Sequence, residues 1–200
     1  MRIGVQSTHR HRNESFAPLG ETLRKVVPAL RDAEVPYLLG GSLAAWARGG
    51  PESSHDVDLM IRPQDADAAL AALQAAGLRT EQPPEEWLVK AWDGDVLVDL
   101  IHCARSLQIT DEVIARGDDL IVLGVTVRVM AIEDVLATKL LALGEHALDY
   151  EPVLQIARSL REQVDWPQVW ERTEESPYAR AFFTMAEGLG LMARQEAAAA

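Results

Sequence analysis

An α+β fold is predicted, with a mixed sheet flanked by helices followed by a C-terminal helical bundle. Three observations lead to it. Short β-prone runs alternate with helical stretches between Val35 and Met130. Two of those runs, "EWLVKAW" and "DVLVDLIH", meet at Asp93-Gly94, which signals a hairpin. From Ile132 onward the apolar spacing is helical. The chain has 200 residues, 48% of them hydrophobic, which is enough for a sizeable core and argues against disorder. The expected divisions are a mobile arm over 1–15, a core over 16–130 and a helical region over 131–195.

Each element has its own reason. Met1 to Ser15 is polar, carries "HRHR" at His9 to Arg12, and reads as an untethered arm. Leu19, Leu23, Val26, Val27 and Leu30 recur with helical spacing. "VPYLLGG" reads as a short strand ending in a glycine turn. "SLAAWARGG" is expected to be a helix with Ser42 as N-cap, closed by Gly49-Gly50. "DVDLMI" is the next strand. Pro63, Asp65 and Asp67 open an Ala-rich helix that Gly77 ends. After the hairpin come a short helix at Asp111 to Ala115 and a strand at Val125 to Met130. Trp166, Trp170, Phe182 and Phe183 are the expected packing anchors of the helical region, and "QEAAAA" is expected to fray.

Composition removes several function classes. A net charge of −12 argues against broad nonspecific binding to nucleic acid, which requires Lys and Arg to neutralise phosphates. A local basic pocket remains compatible with it. Cys103 is the only cysteine, so an internal disulfide and a cysteine-based zinc site are both excluded. No apolar segment reaches membrane-spanning length, and Met1 to Asn13 lacks the apolar core of a signal peptide. A cytoplasmic protein with no membrane partner is expected.

The chemistry concentrates in carboxylates placed where strands normally exclude them. In "DVDLMI", strand alternation puts Asp56 and Asp58 on one face, about 7 Å apart along the strand. That spacing suits oxygen ligands converging on magnesium. Taken alone, the pair is weak evidence and better describes two solvated acids on an exposed face. Asp99 is the only charge between Val96 and Ile101, in a run that reads as a strand buried on both faces. A neighbouring Lys or Arg at a strand end would also accommodate it. If the two strands are adjacent, three carboxylates converge, enough for two divalent ions.

Two further features complement the acids. Gly40 and Gly41 let backbone amides approach a ligand, and Ser42 offers a hydroxyl at a helix start, where free N–H groups favour phosphate. A plain strand-to-helix turn would also use these glycines. "GGSLAAWARGG" does not fit the dinucleotide pattern G-x-G-x-x-G. In "IEDVLATKLLALGEHA", the apolar stripe runs through Ile132, Val135, Leu136, Leu140, Leu143 and Ala147, and Lys139 falls inside it. Lys139 either snorkels to water or directs its ammonium at a phosphate. His55, His102, Arg48, Trp87 and Trp92 lie near these motifs. The histidines could flank the site, but a structural or surface role is the first expectation for them. Arg48 either contacts phosphate or is solvated. Trp87 and Trp92 could stack a base, but core packing is expected first.

Gly40-Gly41-Ser42, a helix, Asp56-Val57-Asp58, and Asp99 between Val98 and Leu100 together resemble the signature of the DNA polymerase β nucleotidyltransferase superfamily. "EDVLATKLLALGEH" followed by "LD" is similar to the segment after the core in AbiEii-like toxins of type IV toxin–antitoxin systems. Lys139 and Asp149 match that pattern, while His146 stands where arginine is usual. The resemblance implies a polymerase β-like core over 16–130. It also implies transfer of a nucleoside monophosphate from an NTP to an acceptor hydroxyl, with release of pyrophosphate. Asp56, Asp58 and Asp99 would hold two Mg2+ ions, Asp99 would take the acceptor's proton, Gly40, Gly41 and Ser42 would bind phosphates, and Lys139 would neutralise charge. The implied acceptor is tRNA, with an antitoxin protein as partner. Aminoglycoside and lincosamide nucleotidyltransferases share the core, which leaves a small hydroxylated acceptor as the alternative. A nucleotide-binding module without turnover is the third reading, and it would not require the third carboxylate.

Overall fold

The computed structural model describes residues 7–52, 56–104 and 107–193. In chain order the elements are α1 (Ser7–Asp32), β1 (Tyr37–Leu39), α2 (Gly41–Ala47), β2 (Val57–Ile61), α3 (Ala66–Ala75), β3 (Arg79–Glu81), β4 (Leu88–Asp93), β5 (Val96–Ile101), β6 (Cys103–Ala104) and β7 (Leu107–Gln108). They continue with α4 (Asp111–Ala115), β8 (Asp118–Val122), β9 (Val125–Val129), α5 (Ile132–Ala142), α6 (Glu151–Leu160), α7 (Trp166–Thr173) and α8 (Pro177–Gly188). Among the described residues, no helix is long and apolar enough to cross a membrane.

Seven strands form one mixed sheet in the order β3-β4-β5-β2-β1-β9-β8, and β6 pairs with β7 separately. The β2–β5 and β1–β9 pairs are parallel; the other pairs in the sheet are antiparallel. One face of the central strands is sealed: Val57, Leu59, Ile61, Val98 and Leu100 are fully buried. Helix α1 is tied to this side, since Thr22 Oγ1 and Lys25 Nζ both donate to the Asp93 carboxylate, at 3.0 and 2.6 Å. Leu19, Leu23, Val26, Val27 and Leu30 are all buried, as the helical stripe predicts. On the opposite face α2 packs on β2 and α5 packs against α2, with Asp58 and Asp99 half-buried. A cleft opens on this second face.

Beyond β9 the chain is helical. Phe183 meets Trp166, Trp170 and Phe182 edge-on, with ring centroids 6.3, 5.0 and 5.8 Å away, so the expected aromatic anchors do pack together. Edge-to-face geometry places the positive ring edge on the negative face of its neighbour. Asp165 and Ser176 cap α7 and α8 by accepting the backbone N–H groups of Gln168 and Ala179. Each cap satisfies an amide that the helix start leaves without a partner.

Helix α1 begins at Ser7, so the described part of the segment expected as an arm has helical backbone. Its residues are polar all round and give no apolar period to read. Other expectations are corrected. Ser42 is not an N-cap: α2 starts at Gly41 with Gly40 in the cap position, because Gly41 turns the chain at φ +59°. Helix α5 stops at Ala142, and Ala147, read as part of its stripe, instead pairs with Gly144 in a turn. Strands β3 and β8 were not anticipated. Residues 1–6, His55 and the terminal "QEAAAA" lie outside the described residues.

Candidate active site

Parallel pairing of β2 with β5 sets Asp58 directly beside Asp99. Asp56 precedes β2 by one residue and reaches the same point. One carboxylate oxygen from each of Asp56, Asp58 and Asp99 lies within 4.8 Å of the other two. Convergence of the acids therefore follows from strand register. Three carboxylates so close repel one another, and burial deprives them of water. The Asp58 carboxyl is pushed up to about 7, first by burial, then by Asp56 and Asp99, with Lys139 opposing. Asp99 is likewise raised by burial; Lys90, opposite it on β4, pulls the other way, and Asp56 adds to the rise. Asp99 Oδ1 is buried and accepts no hydrogen bond among the described residues. An all-oxygen donor set with an orphaned buried oxygen suits a hard divalent cation.

The glycine turn is built against these acids. The Gly40 N–H donates to the Asp58 carbonyl at 2.8 Å, pinning the turn to β2. A Cβ on Gly41 would collide with the Asp58 carboxylate, only 2.7 Å from its Cγ, and the φ of +59° is strained for any other residue. Behind the turn, Lys139 Nζ donates to Ser42 Oγ at 3.1 Å. Burial pushes the Lys139 ammonium below its ordinary range, while Asp58 and Asp56 hold it up. The lysine expected to point inward from α5 does so, and Ser42 meets it.

A cleft of about 540 Å3 opens from this group, lined by Gly41, Asp58 and Lys139 together with Met60, Trp87 and Ile101. Other singled-out residues lie elsewhere or have structural duties. Arg48, weighed as a phosphate contact, instead donates to the Met130 and Val129 carbonyls and to Asp118. Asp149 accepts the Glu151 N–H at the start of α6. His102 is pushed down by burial, and its backbone N–H donates to the Trp87 carbonyl. Trp87, read as core, is 43% exposed. Sequence reasoning missed Asp134, which is wholly buried and paired with Arg116 and Arg172.

A mixed sheet with helices on both sides, an acid triplet on adjacent parallel strands and a glycine turn against it define an enzyme of the polymerase β-like nucleotidyltransferase class. The chain belongs to the family described as "Uncharacterised nucleotidyltransferase", whose model matches residues 8–192. No curated protein matches it. Among solved structures it is similar to the antibiotic-resistance factor ANT(2″)-Ia in solution, with TM-score 0.61, 18% identity, and coverage of 86% of this chain and 95% of that one. A crystal structure of ANT(2″)-Ia with adenylyl-2″-tobramycin gives TM-score 0.51 at 19% identity, covering 86% and 92%. The crystal structure of a proposed nucleotidyltransferase from H. pylori gives TM-score 0.51 at 17% identity, covering 94% and 80%. At these identities the structural likeness is one of fold.

The electrostatics carry a stability prediction. In the unfolded chain Asp58 titrates in the ordinary range near 4; in the folded protein it titrates at about 7. A folded value above the unfolded one means that ionising Asp58 costs folded-state stability, fully so above pH 7 and not at all below pH 4. A divalent cation held by the three acids would offset that cost. Magnesium is therefore expected to raise the melting temperature more at pH 8 than at pH 5.5, relative to protein in EDTA. Equal shifts at both pH values would contradict the assignment.

Proposed function

We propose that this chain is a magnesium-dependent nucleotidyltransferase acting on a hydroxyl of a small cationic molecule. The observation that carries the transferase chemistry is the convergence of Asp56, Asp58 and Asp99 within 4.8 Å, beside the Lys139–Ser42 pair. The acceptor hydroxyl oxygen forms a bond to the α-phosphorus of the NTP. The bond from that phosphorus to the bridging oxygen breaks, and pyrophosphate leaves with the electron pair. Asp99, with its orphaned oxygen and raised carboxyl, takes the hydroxyl proton. Asp56, Asp58 and Asp99 would hold magnesium, whose contribution is to neutralise triphosphate charge and favour the attacking alkoxide. Gly41 and Ser42 seat the β- and γ-phosphates on the N–H groups that begin α2, while Gly40 holds the turn against β2. Lys139 exchanges Ser42 for a phosphate oxygen and stabilises the charge that builds on the leaving group.

Charge supports a small cationic acceptor. The chain carries −12 overall. Five guanidinium groups, those of Arg48, Arg62, Arg116, Arg128 and Arg172, bind carboxylates of the chain. Charge engaged in this way adds nothing to the basic surface that RNA requires. The structural neighbour bound to adenylyl-2″-tobramycin is consistent with such an acceptor. The Lys139 helix favours the second reading, a toxin-like enzyme acting on tRNA and restrained by an antitoxin. Incubation with each α-labelled NTP and magnesium, against polyamine-like and aminoglycoside alcohols in one arm and total RNA in the other, separates the two. Label in a small cation is expected. Label in RNA supports the second reading, and no transfer in either arm contradicts both.

Gly41→Ala is expected to lower transfer about a hundred-fold, the scale on which a displacement of about 1 Å at a reacting group acts. The added methyl must push Asp58 aside. Steady-state rates beside circular dichroism would check this; wild-type activity in a folded variant would show that the close approach is not needed.

A further inference from the structure

The cleft has an end that phosphate and metal chemistry does not use. Trp87 stands there, 43% exposed, although tryptophan normally finds cover in a core. Its position is set by the backbone, since its carbonyl accepts the N–H groups of His102 and Cys103 at 3.0 and 3.2 Å. It immediately precedes β4, whose Leu88 lies opposite Ile101. In the β2–β5 register Met60 pairs with Ile101, two residues beyond the Asp58–Asp99 pair. Strand alternation puts both pairs on one face, about 7 Å apart. A ligand whose phosphates sit against Gly41, Asp58 and Lys139 therefore meets Met60, Ile101 and Trp87 next.

The chemistry of that end is flat and apolar. Thr138, which also lines the cleft, spends its hydroxyl on the Val135 carbonyl at 2.9 Å. A polar end with Gly41, Asp58 and Lys139, joined to an aromatic end within about 540 Å3, matches the polarity of a nucleotide. We propose that Trp87 is the stacking platform for the nucleobase of the donor NTP. This rests on the reading of Asp58, Gly41 and Lys139 as the triphosphate site. Every base has a π-face, so the stack strengthens binding of all four NTPs alike.

The test measures magnesium-dependent binding of the four α,β-methylene NTP analogues and of inorganic tripolyphosphate to wild type, Trp87→Ala and Trp87→Phe. Trp87→Ala is expected to weaken all four analogues by about 10- to 100-fold, the range of base–aromatic stacking. Trp87→Phe should recover most of that loss, and tripolyphosphate affinity should not change. If tripolyphosphate binds wild type but Trp87→Ala leaves NTP affinity intact, the stacking role is overturned while the triphosphate site stands. A rise confined to the acceptor KM would overturn it too and assign Trp87 to the acceptor. If tripolyphosphate does not bind wild type, the triphosphate site falls and this proposal with it. Melting curves of both variants report their folding independently.

Discussion

Asp58→Asn is expected to abolish most nucleotidyl transfer without destabilising the protein. On the proposed mechanism, the substitution removes one of three converging carboxylates that would hold the metal and shape the charge around the α-phosphate. Loss of one preorganised electrostatic contact typically costs about 10²- to 10³-fold in rate. Stability should move the other way. Asp58 is pushed up to about 7 by burial and by the neighbouring acids, so its ionised form strains the metal-free fold at neutral pH. A neutral amide relieves that strain. The expected pair of results is a loss of activity with a melting temperature in EDTA at pH 8 no lower than wild type. A variant that is both active and less stable would show that Asp58 is a structural acid.

Asp134→Ala is expected to be the most damaging substitution outside the site. Asp134 is completely buried on α5 and receives Arg116 through Nε and Nη2 at 2.9 and 3.0 Å. Arg172, on α7, reaches the same carboxylate at 3.2 Å. One acid thereby joins the end of α4, the helix carrying Lys139 and the helical region. Its removal leaves two guanidinium groups facing a cavity without a counter-charge. Breaking a buried pair from one side costs about 3–5 kcal/mol; both arginines keep some contact with water, which places the loss towards the lower figure. Urea denaturation should show the midpoint falling sharply with little change in slope. Asp93→Ala, which removes the partner of the half-exposed Lys25, makes a useful comparison on the sealed side of the sheet. A shift for Asp134→Ala no larger than about 1 kcal/mol, the scale of surface pairs, would contradict the role given to it.

The acid strands were legible because lone charges interrupted otherwise apolar runs. Asp99 stood out against Val96 to Ile101, and strand alternation placed Asp56 and Asp58 on a common face. Pairing of the two strands was conditional in the sequence and became definite only in the register Asp58 to Asp99. Lys139 was legible because a cation inside an apolar stripe needs a partner, although its partner Ser42 is far away in the chain. The β8–β9 hairpin was hidden because its turn is Leu123-Gly124. Both residues adopt positive φ, 51° and 79°, yet leucine carries no turn signal. Asp134 was hidden for a different reason: an acid in the first turn of a helix already has an explanation in the helix dipole. The contact between Gly41 and Asp58 depends on packing between elements, and no local pattern reports it.

The most direct measurement compares wild type with Asp99→Asn for magnesium-dependent NTP binding and for pyrophosphate release in the presence of acceptor. Asp56 and Asp58 remain in that variant beside the glycine turn and Lys139, while the proton acceptor is gone. NTP binding is expected to stay within about ten-fold of wild type and pyrophosphate release to fall by about a hundred-fold or more. Release at the wild-type rate from Asp99→Asn would contradict the role of Asp99 as proton acceptor.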